Sequence, residues 1–186
     1  MFKHFFRWVF GIAFKLSGWR IEGKPPHFLP KFVMIVAPHT SSWDFFVGVA
    51  ARSIAHLEYV KFLGKVELFK WPQGILMRSL GGYPVDRSKN NNLVDNVVDI
   101  FNSKERFSIA LTPEGTRKKV KKLRSGFYHI AKKAGIPIVM VGFDFERKLI
   151  DIQKPFYPTE NTEKDMDEIW NYFSGVSGAK PELGIG

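Results

Sequence analysis

His39 and Asp44 stand in the run Ala37-Pro38-His39-Thr40-Ser41-Ser42-Trp43-Asp44, directly after the apolar stretch Phe32-Val33-Met34-Ile35-Val36. An imidazole followed five positions later by a carboxylate is a compact general-base unit. On a continuous helix the two side chains would point about 140° apart, so they meet only if the chain turns between them. With His39 in a loop and Asp44 at a helix start, the carboxylate can accept from one ring nitrogen and fix the tautomer. The other nitrogen is then free to take a proton from an incoming hydroxyl. Ser41 and Asp44 also fit a capping box, in which the same residues only begin a helix.

Other chemistries find less support. The chain has no cysteine, which excludes thiol catalysis and cysteine-ligated metals. It has no Gly-x-Ser-x-Gly elbow for a serine nucleophile. Ser41 and Ser42 read as capping residues beside His39. The histidines at 4, 27, 39, 56 and 129 show no ligand spacing such as His-Glu-x-x-His, so no metal site is expected.

A second polar cluster, Thr112-Pro113-Glu114-Gly115-Thr116-Arg117, follows the apolar run 107–111. A third, ending in Asp86-Arg87, follows Gly81-Gly82-Tyr83-Pro84-Val85. Arg87 and Arg117 each offer a fork that matches phosphate, and Gly115 lets backbone approach a ligand closely. Either arginine alone could be a surface ion pair; two on different strand ends suggest a phosphate clamp. Residues 117–124 hold six cations in eight positions, a run able to attract anionic headgroups, coenzyme phosphates, an acidic carrier protein or nucleic acid. No aromatic single-strand platform accompanies it, so nucleic acid is not the expected partner.

These loops need elements to hold them. Apolar runs at about 32–37, 59–63, 107–111 and 136–141 read as strands, and 44–56, 73–80, 93–102, 125–133 and 163–173 as helices. Alternation of this kind predicts a single α/β domain with a largely parallel central sheet flanked by helices. Ligands bind such sheets at the carboxyl ends of the strands, where His39, Arg87 and Glu114 all fall.

The chain is basic, with a net charge of +10 and 18 phenylalanines in 186 residues. Residues 1–18 read as an amphipathic helix. Trp8, Ile12, Phe5, Leu16, Val9, Phe2, Ala13, Phe6 and Phe10 fall on one face and Lys3, Arg7, His4 and Lys15 on the other, with Phe14 misplaced. The uncharged run from Trp8 to Phe14 is far short of the ~20 residues that span a bilayer. The pattern suits a helix lying in the membrane interface, the alternative being one packed on the protein's own core. Gly23-Lys24-Pro25-Pro26 reads as a linker, dividing a membrane-interface helix at 1–22 from a main domain at 23–186.

Taken together, four ordered blocks resemble the glycerolipid acyltransferase family, which includes 1-acylglycerol-3-phosphate acyltransferases. His39 to Asp44 resembles its His-x4-Asp block and Gly81 to Arg87 its arginine-ending block. Pro113-Glu114-Gly115-Thr116-Arg117 is similar to its Pro-Glu-Gly-Thr-Arg block, and Gly135-Ile136-Pro137-Ile138-Val139 to its proline-containing fourth strand. Two positions depart from it: Pro38 stands where many members carry asparagine, and Lys118 where a serine often follows.

The resemblance implies His39 as general base with Asp44 orienting it. It implies Arg87, Glu114 and Arg117 as positioning the acceptor and its phosphate, Gly115 and Thr116 as shaping that loop, and Pro137 as shaping the acyl-donor site. It further implies transfer of a fatty acyl group from acyl-coenzyme A or acyl carrier protein to a lysophospholipid hydroxyl in phospholipid biosynthesis, with no cofactor beyond the thioester donor. A peripheral enzyme on the cytoplasmic face of an anionic membrane follows. The competing readings are a non-enzymatic basic module that binds membrane or nucleic acid, and a thioesterase or lipid hydrolase using the same base on water.

Overall fold

The computed structural model describes residues 2–85 and 93–186, with the side chains of residues 2–6 and 65 left aside. In chain order it contains α1 (Phe2–Leu16), β1 (Arg20–Gly23), β2 (Lys31–Ala37), α2 (Trp43–Ile54), β3 (Lys61–Lys65), α3 (Gln73–Ser79), β4 (Gly82–Val85) and α4 (Leu93–Asn102). There follow β5 (Phe107–Leu111), α5 (Gly126–Ala134), β6 (Ile138–Asp144), β7 (Leu149–Ile152) and α6 (Thr162–Ser174). A 3-10 turn at Val66–Phe69 joins β3 to α3, and another occupies Pro181–Leu183.

One sheet has the order β1-β7-β6-β2-β5-β3-β4. Five strands, β6 to β4 in that order, run parallel; β7 is antiparallel to β6, and β1 pairs in parallel with β7. The α/β architecture expected from the alternating pattern is therefore present, with two reversed strands added at one edge. Those strands, β1 and β7, were not legible as such, because each is four residues long and carries charged side chains. β1 runs across the linker position expected at residue 23 and pairs in register with β7 from Arg20↔Leu149 to Gly23↔Ile152.

β2 explains why the sheet needs helices on both faces. Val33, Ile35 and Ala37 pack on one side with Val97, Phe101, Phe127, Tyr128, Ile169 and Phe173 of α4, α5 and α6. Phe32 and Met34 point the other way, into a cluster with Phe14, Ala50, Ala51 and Val141 that includes α1 and α2. A strand buried on both faces reads as a continuous apolar run rather than an alternating one.

α1 is helical as expected, but it docks by a seam that the periodicity did not favour. Phe14, the misfit of the apolar face, is 8% exposed and belongs to the core. Trp19 packs on it at 5.8 Å between centroids and meets Phe145 edge-on at 4.9 Å. Arg7 donates to Ser53 O at 2.8 Å and pairs with Glu58, so it ties the helix to the end of α2 instead of facing water. Arg7, Phe10 and Phe14 form this seam. On roughly the opposite side of the helix, Trp8, Ile12 and Leu16 remain exposed, Leu16 at 83%. Among the described residues, no helix is long and apolar enough to cross a membrane.

Candidate active site

Because β2 and β5 are neighbours, paired from Lys31↔Phe107 to Ile35↔Leu111, the loops leaving their carboxyl ends are side by side. This brings His39 and Glu114, 75 positions apart, into contact: Glu114 Oε1 accepts the His39 backbone N–H at 2.8 Å.

The loop between β2 and α2 turns as the His–Asp geometry requires. His39 Nδ1 lies 3.0 Å from Asp44 Oδ2, and the same oxygen accepts the backbone N–H groups of Thr40 and Ser41, each at 2.8 Å. Asp44, in the first turn of α2, thus bonds the backbone of the loop before the helix. The N-cap, Ser42, makes no side-chain cap bond, and Ser41 Oγ accepts from Trp43 N–H at 3.2 Å, so the capping box expected from Ser41 and Asp44 is only half formed. One carboxylate oxygen therefore both fixes the backbone of the loop entering α2 and meets the imidazole. An acceptor oxygen facing Nδ1 places the hydrogen there and leaves the lone pair on Nε2. Arg117 meets that second nitrogen, its Nε 3.4 Å from His39 Nε2 and its Nη1 donating to Ser42 Oγ at 3.0 Å.

Asp44 and Glu114 are both deeply buried, at 5% and 2% exposure. One oxygen of each, Asp44 Oδ1 and Glu114 Oε2, has no hydrogen-bond partner among the described residues. Burial pushes the Glu114 carboxyl up to about 7, opposed by the His39 N–H bond and the His39 ring and reinforced by the nearby Asp44 charge.

His39 and Asp44 border a space of about 940 Å³ whose lining comes from both faces of the sheet, from α2 on one and from α4 and α5 on the other. Its walls are mainly apolar, including Met34, Val36, Phe62, Leu63, Val97 and Ile130, with His39, Asp44, Arg52, Thr112, Thr116, Arg117 and Arg124 as polar groups. An apolar space with a few convergent polar groups is the usual form of a small-ligand site. Gly115, Thr116 and Arg117 line it as well. Gly115 takes φ of +67°, and a Cβ there would stand 2.6 Å from Arg124 Nε, so the glycine admits both the turn and the arginine beside it.

Two expected site residues are placed elsewhere. Glu114 is buried beneath the His39 loop and accepts its backbone N–H, while Pro113 and Gly115 on either side of it line the cavity. Pro137 precedes β6 at the opposite end of the sheet, where its carbonyl accepts Val33 N–H at 3.0 Å. The four steps along β2 from Val33 to Ala37 set Pro137 about 13 Å below the loop that carries His39. Arg87 lies outside the described residues.

One supporting group was missed. Thr40 is 3% exposed because the C-terminal segment lies on it: Lys180 N–H donates to Thr40 Oγ1 at 3.1 Å, and Gly178 packs against Thr40 and Pro38. Nothing local in the sequence pairs residues 140 positions apart.

The Acyltransferase family model matches residues 21–144, a span that contains both loops. Among solved structures, the chain is similar to the 1-acyl-sn-glycerophosphate (LPA) acyltransferase PlsC from Thermotoga maritima, with a TM-score of 0.62 and 20% identity over 91% of this chain and 76% of that one. At that identity the likeness is one of fold. No curated protein matches the chain.

Proposed function

The chain belongs to the acyltransferase family, and from that premise we propose that it is an O-acyltransferase acting on lysophospholipids. In this reading it moves a fatty acyl group from acyl-coenzyme A or acyl carrier protein to the hydroxyl of a 1-acylglycerol-3-phosphate-like acceptor, in phospholipid biosynthesis. The observation that carries it is the His39–Asp44 pair, 3.0 Å apart, at the border of a large apolar cavity with Arg117 against the free ring nitrogen.

The cavity supplies an apolar space for a fatty chain, and its polar border supplies the chemistry. His39 Nε2 takes the proton of the acceptor hydroxyl as its oxygen attacks the thioester carbonyl. The carbon–oxygen bond forms, the tetrahedral intermediate collapses, and the carbon–sulfur bond breaks. The proton passes from the imidazolium to the departing thiolate. Asp44 stabilises the imidazolium between these steps and holds the ring in one tautomer. Arg117 is positioned to leave Nε2 for an acceptor phosphate, which its fork matches. Glu114 acts through the His39 backbone rather than on substrate. The exposed apolar residues of α1 and the cations of 117–124 support peripheral attachment to the cytoplasmic face of an anionic membrane, where the acceptor resides and the donor is soluble.

Thiol release from a long-chain acyl-coenzyme A, with and without lysophosphatidate in anionic vesicles, tests this reading. The chain carries no cysteine and adds no background signal. Release should depend on the acceptor and fall by roughly 10²–10⁴-fold in folded His39→Ala. Near-normal release in that variant removes His39 as the base, and release without acceptor indicates hydrolysis. Silence with coenzyme A and carrier-protein donors across a panel of lipid acceptors favours the non-enzymatic basic module.

A further inference from the structure

Phe69 turns the segment between β3 and β4 toward the sheet. Phe69 is 6% exposed and sits in a slot made by glycines. A Cβ on Gly64 or Gly82 would stand 2.8 Å from its ring, and one on Gly74 would stand 2.0 Å from its carbonyl oxygen. The Arg78 guanidinium lies over the ring at 5.5 Å, with Nη1 donating to Phe69 O at 3.1 Å. With Phe69 turned inward, the other large apolar side chains of the segment are left outside. Leu68 is 45% exposed, Trp71 84%, Ile75 67% and Leu76 56%. Contiguous exposed apolar groups of this size mark a contact surface.

The position of this patch suggests what it contacts. Leu68 and Phe45 line the cavity and are nonetheless exposed, so the cavity opens to the outside beside them. Trp43 and Phe46 stand exposed at the same end of α2. Arg117 and Arg124 line the cavity too, and Lys118, Lys119, Lys121 and Lys122 on their loop are exposed. A cavity that opens beside Leu68 and Phe45, with exposed Trp71, Ile75 and Leu76 on the segment of Leu68 and exposed lysines on the loop of Arg117 and Arg124, has the composition of a site at an anionic lipid interface. The aromatic and aliphatic groups enter the acyl boundary while lysine and arginine remain among phosphates.

We propose that the 68–76 segment and the 117–124 loop seat the cavity mouth on an anionic lipid surface, as a contact separate from α1. A lipid then passes between bilayer and cavity without crossing water. This rests on the reading that the enzyme's substrates are lipids, but it is tested by binding alone.

The full chain is floated with vesicles of phosphatidylcholine containing roughly one-third phosphatidylglycerol, some with brominated acyl chains that quench nearby tryptophan. Trp71→Glu/Ile75→Glu should lose vesicle binding by roughly 10-fold or more, with an unchanged melting midpoint because both positions are exposed. Trp71→Phe should still bind while losing a large part of the bromolipid quenching. Replacing Lys118, Lys119, Lys121 and Lys122 by glutamine should remove the preference for anionic over neutral vesicles. Binding of the double glutamate variant equal to wild type, or quenching unchanged in Trp71→Phe, overturns the proposal, as does binding to nucleic acid without binding to vesicles. Vesicle binding and Trp71 quenching as expected, in a protein with no acyl transfer from either donor, keeps this lipid contact and removes the enzymatic reading instead.

Discussion

Glu114 holds the backbone of His39 from below, accepting its N–H at 2.8 Å while only 2% exposed. The bond joins the loop after β5 to the loop after β2, so this carboxylate helps to set the position of the His39 backbone. Its second oxygen is buried without a hydrogen-bond partner among the described residues, and burial lifts the carboxyl from 4.5 to about 7.

The folded protein therefore keeps a proton on Glu114 that the unfolded chain gives up at lower pH. The stability this confers is complete below about 4.5 and is lost as pH rises through about 7. Melting midpoints measured across that window should fall with pH in the wild type, and the fall should be smaller in Glu114→Gln. The glutamine keeps an acceptor for His39 N–H and should retain most activity, whereas Glu114→Ala should lose roughly 10-fold or more in kcat by freeing the loop. Identical pH slopes in wild type and Glu114→Gln would show that this carboxyl does not titrate differently on folding.

Thr40 links the same loop to the C-terminal segment through its hydroxyl, 3.1 Å from Lys180 N. Thr40→Ser keeps the acceptor and should behave as wild type. Thr40→Val leaves the Lys180 N–H without its partner and should cost about 1–2 kcal/mol of stability, with kcat reduced more than KM is changed. A serine variant as impaired as the valine one would assign the effect to the lost methyl group.

Arg117 Nε lies 3.4 Å from His39 Nε2, the atom that receives the acceptor proton in the proposed reaction. Arg117→Ala should weaken a phosphorylated acceptor by roughly 10-fold or more in kcat/KM and a phosphate-free lipid alcohol much less. Equal losses with both acceptors would argue against a phosphate clamp.

Phe14 anchors α1 at 8% exposure while Leu16, two residues on, is 83% exposed. Phe14→Ala should destabilise the protein by about 2–4 kcal/mol in chemical denaturation. Leu16→Ser should stay within about 0.5 kcal/mol and reduce vesicle binding instead. Destabilisation by Leu16→Ser would mean that the exposed face of α1 is covered by the protein itself.

Much of the architecture could be read from the chain, because its signals are local. Apolar runs of five to seven residues ending in Pro38-His39 and Thr112-Pro113-Glu114 mark strands that deliver polar loops to one edge, and the helices between them carry 3.6-residue periodicity. The same locality made Asp44 legible: it lies five positions from His39, within reach of a single turn. What depended on pairing distant segments was not legible. Periodicity found the apolar face of α1 but not which side the protein would cover; Phe14 is buried because α2 and Trp19 meet it, and those contacts are formed only on folding. Glu114 carries the composition of a ligand, yet the adjacency of β2 and β5 puts it under the His39 backbone. Pro137 follows a site-like motif order, yet the direction of β6 places it at the far end of the sheet. The sequence by itself determined which residues are chemically capable and which ends of the strands present them. Only the tertiary structure decided which of them face the cavity and which support it, since strand order and helix docking are set by burial summed over the whole chain rather than by any one segment.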